Sequence, residues 1–389
     1  MTELFPIKVS VIQWACERAG TLYSALIAHK DFKRLSNESN GYVHLTMKNV
    51  EKLSKLLRYP QMYFFYDAPV ESIDRLQIAD FRTFKANEQN KPSLNLLDQI
   101  KASIRHQNWF EDFAIENDLE QFKFNKKFDL KASPVNAAKV VSEDLHIAYT
   151  KSNNSNAYLN DLREILESNN IIVEISKVSN NSKNRLDVNE FRGFALSSEN
   201  APLIFVNGND AIHAQIFTLC HELGHICLGQ TGLSDVKFNS KDKVEKWCNE
   251  FAANILMPEN DITNDFNNSD SIQEFLRDAV KKYHVSSFAL IVRLNNLKLI
   301  DKSNFSTWFI KCKRDYEDSI NLALKDTKNS KGGNFYNTFK SRSSTLFTKA
   351  LLSSALVGET PFRDAVKLLG VSSIKTMDNI AKKYGLLNE

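Results

Sequence analysis

Apolar residues recur at helical spacing from near the start of the chain. Over 8–28, Val11, Ile12, Trp14, Ala15, Ala19, Leu22, Leu26 and Ile27 follow a helical period. A polar stretch, SNESNGY (36–42), intervenes. Thr46 then stands before MKNVEKLSKLL, in which Val50, Leu53, Leu56 and Leu57 repeat the spacing, and the aromatic run 63–66 closes the segment. Residues 1–70 are therefore expected to form a small all-helical bundle. Pro69 and the stretch to Lys91 read as a connector, and helical periodicity resumes over 93–118 with Leu94, Leu97, Ile100, Ile104, Trp109 and Phe113.

Further along, the pattern changes. The stretches SNNSN (152–156) and SNNSKN (179–184) read as loops, with a helix over 157–167 between them. The β-branched run IIVEI (171–175) and the apolar run PLIFVN (202–207) read as strands. A strongly apolar helix follows from Asp210 to Leu228, stopped by Gly229, and a second runs over 242–257 to Met257-Pro258. From 270 to 389 the pattern is helical, with YHVSSFALIVRLNNLKLI (283–300) as packed scaffold and one loop at 329–334.

Composition supports this outline. A chain of 389 residues implies two or three domains. Only 12 Gly and 8 Pro favour helix over a many-stranded sheet, so the expected class is α+β and mainly helical. The net charge of +3 is too small to mark a nucleic-acid binder by bulk charge. Residues 1–70 carry nine Lys/Arg and six Asp/Glu, and 301–389 carry fifteen and nine, which reads as a solvated helical face. Five scattered cysteines form no disulfide framework and point to a reducing compartment; Cys220, Cys227 and Cys248 read as small buried hydrophobes rather than as a thiol switch. With no signal-peptide pattern and no apolar run of 18 residues, a soluble cytoplasmic protein is expected.

The chemistry concentrates in His221-Glu222-Leu223-Gly224-His225, an HExxH pattern. Two imidazoles at i and i+4 stack on one helix face and can reach a single metal ion. The Glu222 carboxylate beside them can take a proton from an attacking water and pass it to a leaving amine. The preceding strand, 202–206, could offer backbone groups to an extended substrate. Catalytic zinc takes three protein ligands and keeps one position open. The third ligand is expected on the next helix. Glu245 lies 20 residues after His225 and shares its face with the small Cys248 and Ala252, so the two helices can approach. Glu250 lies about 140° around the helix from Glu245 and cannot share its direction. His213, offset by about 80° from His221, reads as a helix-surface residue. His29, His44, His106, His146 and His284 have no ligand-like spacing.

The stretch HAQIFTLCHELGHICLG (213–229) resembles the FTLAHELGH helix of the ImmA/IrrE family of metallopeptidases. The stretch from Glu245 to Pro258 is similar to that family's E-x-x-A-x-x-F-A-x-x-L-L-M-P, with Glu245 at the ligand position and Phe251-Ala252 and Leu256-Met257-Pro258 in register. Cys220 and Cys248 replace small residues of the pattern. VIQWACERAG (11–20) resembles the opening of the XRE-type helix-turn-helix module found in long family members. Residues 50–57, YPQMYFFYDAP, Asp80-Phe81-Arg82-Thr83 and 332–336 also match such members.

The resemblance implies a gluzincin-like core, a small sheet plus the HExxH helix, flanked by helical domains. It divides the chain into an XRE-type domain (1–70), a helical connector (71–135), a metallopeptidase domain (136–300) and a C-terminal helical region (301–389). It implies a zinc endopeptidase, with Mn²⁺ or Fe²⁺ also compatible with the donors, in which His221, His225 and Glu245 hold the metal and Glu222 is the base. The implied substrate is a regulatory protein, an XRE-type repressor or an antitoxin. Two other roles share these residues: a helix-turn-helix regulator whose metal site is structural or vestigial, and the toxin of a toxin–antitoxin pair. For the N-terminal domain, protein docking is weighed above DNA binding, because 36–46 is poor in Arg.

Overall fold

The computed structural model describes residues 3–69, 92–148, 152–179, 184–234, 242–329 and 335–387. The 80–83 motif, residues 332–334 and much of the expected connector lie outside the described residues. The chain divides into two compact units, Met1–Ile100 and Lys101–Glu389.

The first unit begins with strand β1 (Phe5–Lys8), then helices α1 (Val9–Arg18) and α2 (Tyr23–Ala28) and a 3-10 helix over Lys30–Ser36. Strand β2 (Tyr42–Leu45), helix α3 (Met47–Leu57) and a 3-10 helix over Gln61–Phe65 follow. This corrects the all-helical expectation. β1 and β2 pair antiparallel, from Phe5 opposite Leu45 to Lys8 opposite Tyr42. Each strand is four residues long, so the alternation that places Ile7, Val43 and Leu45 in the core spans too few positions to stand out beside helices. The helix expected over 8–28 is broken at Gly20, which turns the chain at φ +64. Thr46 caps α3 by accepting the Asn49 N–H at 3.2 Å.

The second unit is built around a four-stranded sheet of order β3-β5-β4-β6. Strand β3 (Ile172–Ser176) runs parallel to β5 (Leu203–Asn207), β4 (Gly193–Leu196) pairs antiparallel with β5, and β6 (Gly232–Ser234) pairs antiparallel with β4. β5 therefore has neighbours on both sides. It cannot offer its backbone to a substrate, contrary to the expectation for 202–206. β4 and β6 were not legible in the sequence, and it is β6 that forms this end of the sheet.

Helices α5 (Pro134–Asp144), α6 (Ser155–Ser168), α7 (Ile212–Leu228), α8 (Lys243–Leu256), α10 (Ile272–Tyr283) and α11 (Ser287–Asn296) share one core with the sheet. Helices α9 (Glu259–Asn267) and α12 (Lys302–Asn329) extend it. α7 follows β5 directly, and from Ala214 to Leu228 only Phe217 escapes full burial. A helix apolar on all sides belongs at the centre of a core. Gly229, at φ +67, ends it as the sequence predicts.

Two buried polar clamps join the periphery to this core. Helix α4 (Leu94–Glu116) supplies Ser103 and His106, which donate to the Glu174 carboxylate of β3 at 2.7 and 2.5 Å. On α6, the Arg163 guanidinium donates to the carbonyls of Ser341 (2.9 Å) and Ser343, while Glu167 accepts the Thr345 N–H at 3.0 Å. The pair thereby caps the end of α13 (Phe335–Arg342) and the start of α14 (Thr345–Val357). Helices α15 (Phe362–Leu368) and α16 (Ile374–Lys383) complete the chain. Among the described residues no helix is long and apolar enough to cross a membrane.

Candidate metal centre

Helix geometry alone brings His221 and His225 together, with their Nε2 atoms 3.2 Å apart. Tertiary packing brings the third donor. α8 lies against α7, and the contact is thin because Gly224 of α7 faces Cys248, where an added Cβ would come within 3.3 Å of the Cys248 Cα. This close approach sets Glu245 between the imidazoles: Oε2 is 3.3 Å from His221 Nε2 and Oε1 is 3.3 Å from His225 Nε2.

These spacings fit a metal. Donors held at about 2.0–2.1 Å from one ion at tetrahedral angles stand about 3.3 Å apart. Among the described residues, His221, His225 and Glu245 form the one His/Cys/Asp/Glu group close enough to hold an ion, and no fourth donor of these types joins it. Glu245 keeps 20% of its side-chain surface exposed against 6% for His221 and 2% for His225, so solvent reaches the group from the Glu245 side.

The electrostatics favour a cation. Burial works to raise the Glu245 carboxyl, but the two imidazoles that contact it hold it well below the usual carboxylate range. Burial works to lower the His225 imidazole, and the Cys248 thiol with the Glu245 and Glu222 carboxylates overrides it, lifting the group well above the ordinary histidine value. A cluster that gathers a proton in this way is a cluster that a divalent ion can occupy by displacing it.

Glu222 is fully buried beneath β4. Gly193 of β4 permits this: a Cβ there would stand 3.0 Å from Glu222 Oε1 and 2.7 Å from the Phe205 carbonyl. Gly232 of β6 backs onto the His225 ring, 3.1–3.2 Å from Cε1 and Nδ1 to where its Cβ would be. The strand that forms the sheet edge thus runs beside the candidate ligands.

Asn249, one turn after Glu245, was missed by sequence reasoning. Its Oδ1 accepts from His221 Nδ1 at 3.1 Å, which fixes the ring and leaves the Nε2 lone pair for an ion. The signal was available, since 245 and 249 share a helix face. α8 is itself held by two further anchors. Trp247 Nε1 donates to the Ala132 carbonyl at 2.8 Å, and the buried Arg293 of α11 donates to Asn254 Oδ1 (2.7 Å) and the Met257 carbonyl (3.1 Å). Asn249→Ala is expected to weaken metal affinity by roughly 10–100-fold, while Asn249→Asp retains it. Competition against a chromophoric chelator reads both values, and an alanine variant with unchanged affinity would remove Asn249 from the site.

The remaining sequence candidates fall elsewhere. Glu250 is not part of the group. His213 is partly buried rather than a surface residue, with Nε2 3.0 Å from Ser155 Oγ, and His284 Nδ1 lies 3.3 Å from the same hydroxyl. Cys220, Cys227 and Cys248 are buried and reduced, and burial raises all three thiols.

Comparison with known proteins agrees with the family resemblance over the central segment. Residues 173–295 match the peptidase family M78, described as the IrrE N-terminal-like domain. Residues 343–383 match a family described as a domain of unknown function, DUF8813. No curated protein matches the chain. The segment that matches the peptidase family contains β4 to β6, α7, α8, all but the first residue of β3, and every residue of the candidate centre.

Proposed function

We propose that the protein is a zinc-dependent endopeptidase that cuts, and so inactivates, a regulatory protein partner of the XRE-type repressor or antitoxin class. The observation that carries this reading is the convergence of His221, His225 and Glu245 with Glu222 beside them. A divalent cation in that cage would supply Lewis-acid activation of water and of the scissile carbonyl. Zinc suits the two imidazoles and one carboxylate best, and Mn²⁺ or Fe²⁺ could occupy the same donors.

The chain's own residues account for the other steps. Glu222 accepts a proton from the attacking water and returns it to the leaving amine. Asn249 holds the His221 ring, and Glu245 ties α8 to α7. Among the described residues β6 pairs on one side only, with β4. Its outer edge can accept an extended peptide as an added strand, which would carry the substrate backbone past His225. An unfolded or protruding segment of a folded partner satisfies that requirement, which favours a protein substrate over a small peptide.

The test is incubation of the purified protein with candidate repressors or antitoxins, followed by mass analysis of the fragments. One discrete cut is expected, abolished by a chelator and restored by stoichiometric zinc. Cleavage that persists after metal removal would overturn the reading.

A further inference from the structure

We infer that α14–α16 form a helix-turn-helix module that docks α16 into the major groove of duplex DNA. The inference is independent of the peptidase reading and concerns the segment matched only to a domain of unknown function.

The topology carries the first part of the argument. Each of α14, α15 and α16 touches the other two, forming a three-helix unit around Leu351, Leu352, Ala355, Ala365, Met377 and Ile380. α15 has 7 residues and α16 has 10. Between the C-cap Leu369 and the N-cap Ser373 stand only Gly370, Val371 and Ser372. Gly370, at φ +64, makes the reversal, and the Val371 N–H returns to the Val366 carbonyl at 3.1 Å. Ser373 Oγ then starts α16 by accepting the Thr376 N–H at 3.2 Å. A short helix, a three-residue turn containing Gly and a longer second helix are the helix-turn-helix pattern.

The second part is charge. Met377, Ile380 and Ala381 bury one face of α16, which directs Lys375 and Lys382, seven residues apart, to the opposite face. Arg363 and Lys367, four residues apart on α15, are also exposed. Among the described residues no ion pair holds any of these four cations. Residues 343–383 carry six basic and three acidic side chains. On the exposed face of α16, Asp378 stands three residues after Lys375 and four before Lys382, so that face keeps a net charge of +1, and the exposed Arg363 and Lys367 of α15 add to the basic excess. Ile374, in the first turn of α16, is 49% exposed and offers the apolar contact that a thymine methyl takes. Duplex RNA is the poorer fit, because its deep, narrow major groove does not admit a helix.

The experiment measures fluorescence anisotropy of a mixed-sequence 30-base-pair DNA duplex with the full-length protein. Four phosphate contacts predict a log–log salt slope near −3.6, or roughly a 150-fold loss of affinity from 50 to 200 mM salt. Lys375→Ala/Lys382→Ala should flatten that slope by about 2. Lys375→Glu/Lys382→Glu should bind at least tenfold more weakly, with circular dichroism and Tm unchanged. Glu222→Gln should bind as the wild type does, so loss of peptidase activity and loss of DNA binding remain separable. The inference is overturned if the charge-reversed protein binds as tightly as wild type, or if an RNA duplex of equal length binds equally well. It is also overturned if Lys33→Glu/Arg34→Glu in the first unit abolishes binding while the α16 variants do not.

Discussion

Glu222→Gln is expected to keep one equivalent of bound metal and to lose roughly 10²–10⁴-fold in kcat for peptide-bond hydrolysis. Glutamine matches glutamate in shape, and shape matters at this position. The carboxylate is fully buried under β4, where Gly193 leaves no room for a Cβ. The amide fills the same slot and leaves the His221–His225–Glu245 spacing undisturbed, but it cannot accept the proton of an attacking water. Metal content should therefore hold while turnover falls, and KM should change little because Glu222 acts on the reacting atoms rather than on the substrate backbone. Inductively coupled plasma analysis and single-turnover cleavage, run on the same preparation, give the two readings. A variant retaining more than a tenth of wild-type turnover would remove Glu222 from the role of base. Loss of the metal together with the activity would make Glu222 a structural support for the cage instead.

What could be read from the sequence about this site divides along a physical line. His221, His225 and Glu222 are related by local helix geometry, which any stable helix enforces. Glu245 was accessible because small residues on its helix face allow two helices to touch. Asn249 follows Glu245 by one helical turn and could have been read from that spacing, whereas Gly193 and Gly232 depend on which segment crosses over which. Gly193 and Gly232 belong to strands of four and three residues that show no alternating pattern. β4 is buried at every position, so the period-2 signal of a half-exposed strand is missing. The same logic applies to β5. Its five buried residues in a row mark an interior strand, and reading the run that way would have excluded it as a substrate platform. In the first unit, the β1–β2 pair was hidden by its brevity beside α1 and α3. The C-terminal helices were legible as helices, yet the charge of the tail reads as a solvated face until the burial of Met377, Ile380 and Ala381 shows that Lys375 and Lys382 share the exposed face of α16.

Glu245→Ala should remove the metal and the activity together, and it should also remove the metal's contribution to stability. An ion that binds the folded state at a thousand times its Kd stabilises that state by about 4 kcal/mol. For a unit of this size the corresponding rise in Tm is about 10 °C. Adding zinc to metal-stripped wild-type protein should therefore shift the transition by that amount, and adding it to Glu245→Ala should leave the transition nearly unmoved. The reason lies in the geometry. Glu245 is the only donor supplied from α8, and it faces both imidazoles at 3.3 Å. Without it an ion would have two neutral nitrogens from one helix, no neutralising charge among its ligands, and no link across the α7–α8 contact. The metal-free variant should also be less stable than the metal-free wild type at neutral pH. Burial opposes ionisation of the Glu245 carboxyl, and the paired imidazoles more than reverse that effect. A carboxyl held below its unfolded value stabilises the fold above that value and loses the contribution as pH falls through the folded one. The gap between the two metal-free proteins should consequently narrow on acidification. Calorimetric scans of both proteins, with and without zinc, at neutral and acid pH measure each quantity. A zinc-induced shift of equal size in Glu245→Ala would show that the ion rests on other donors.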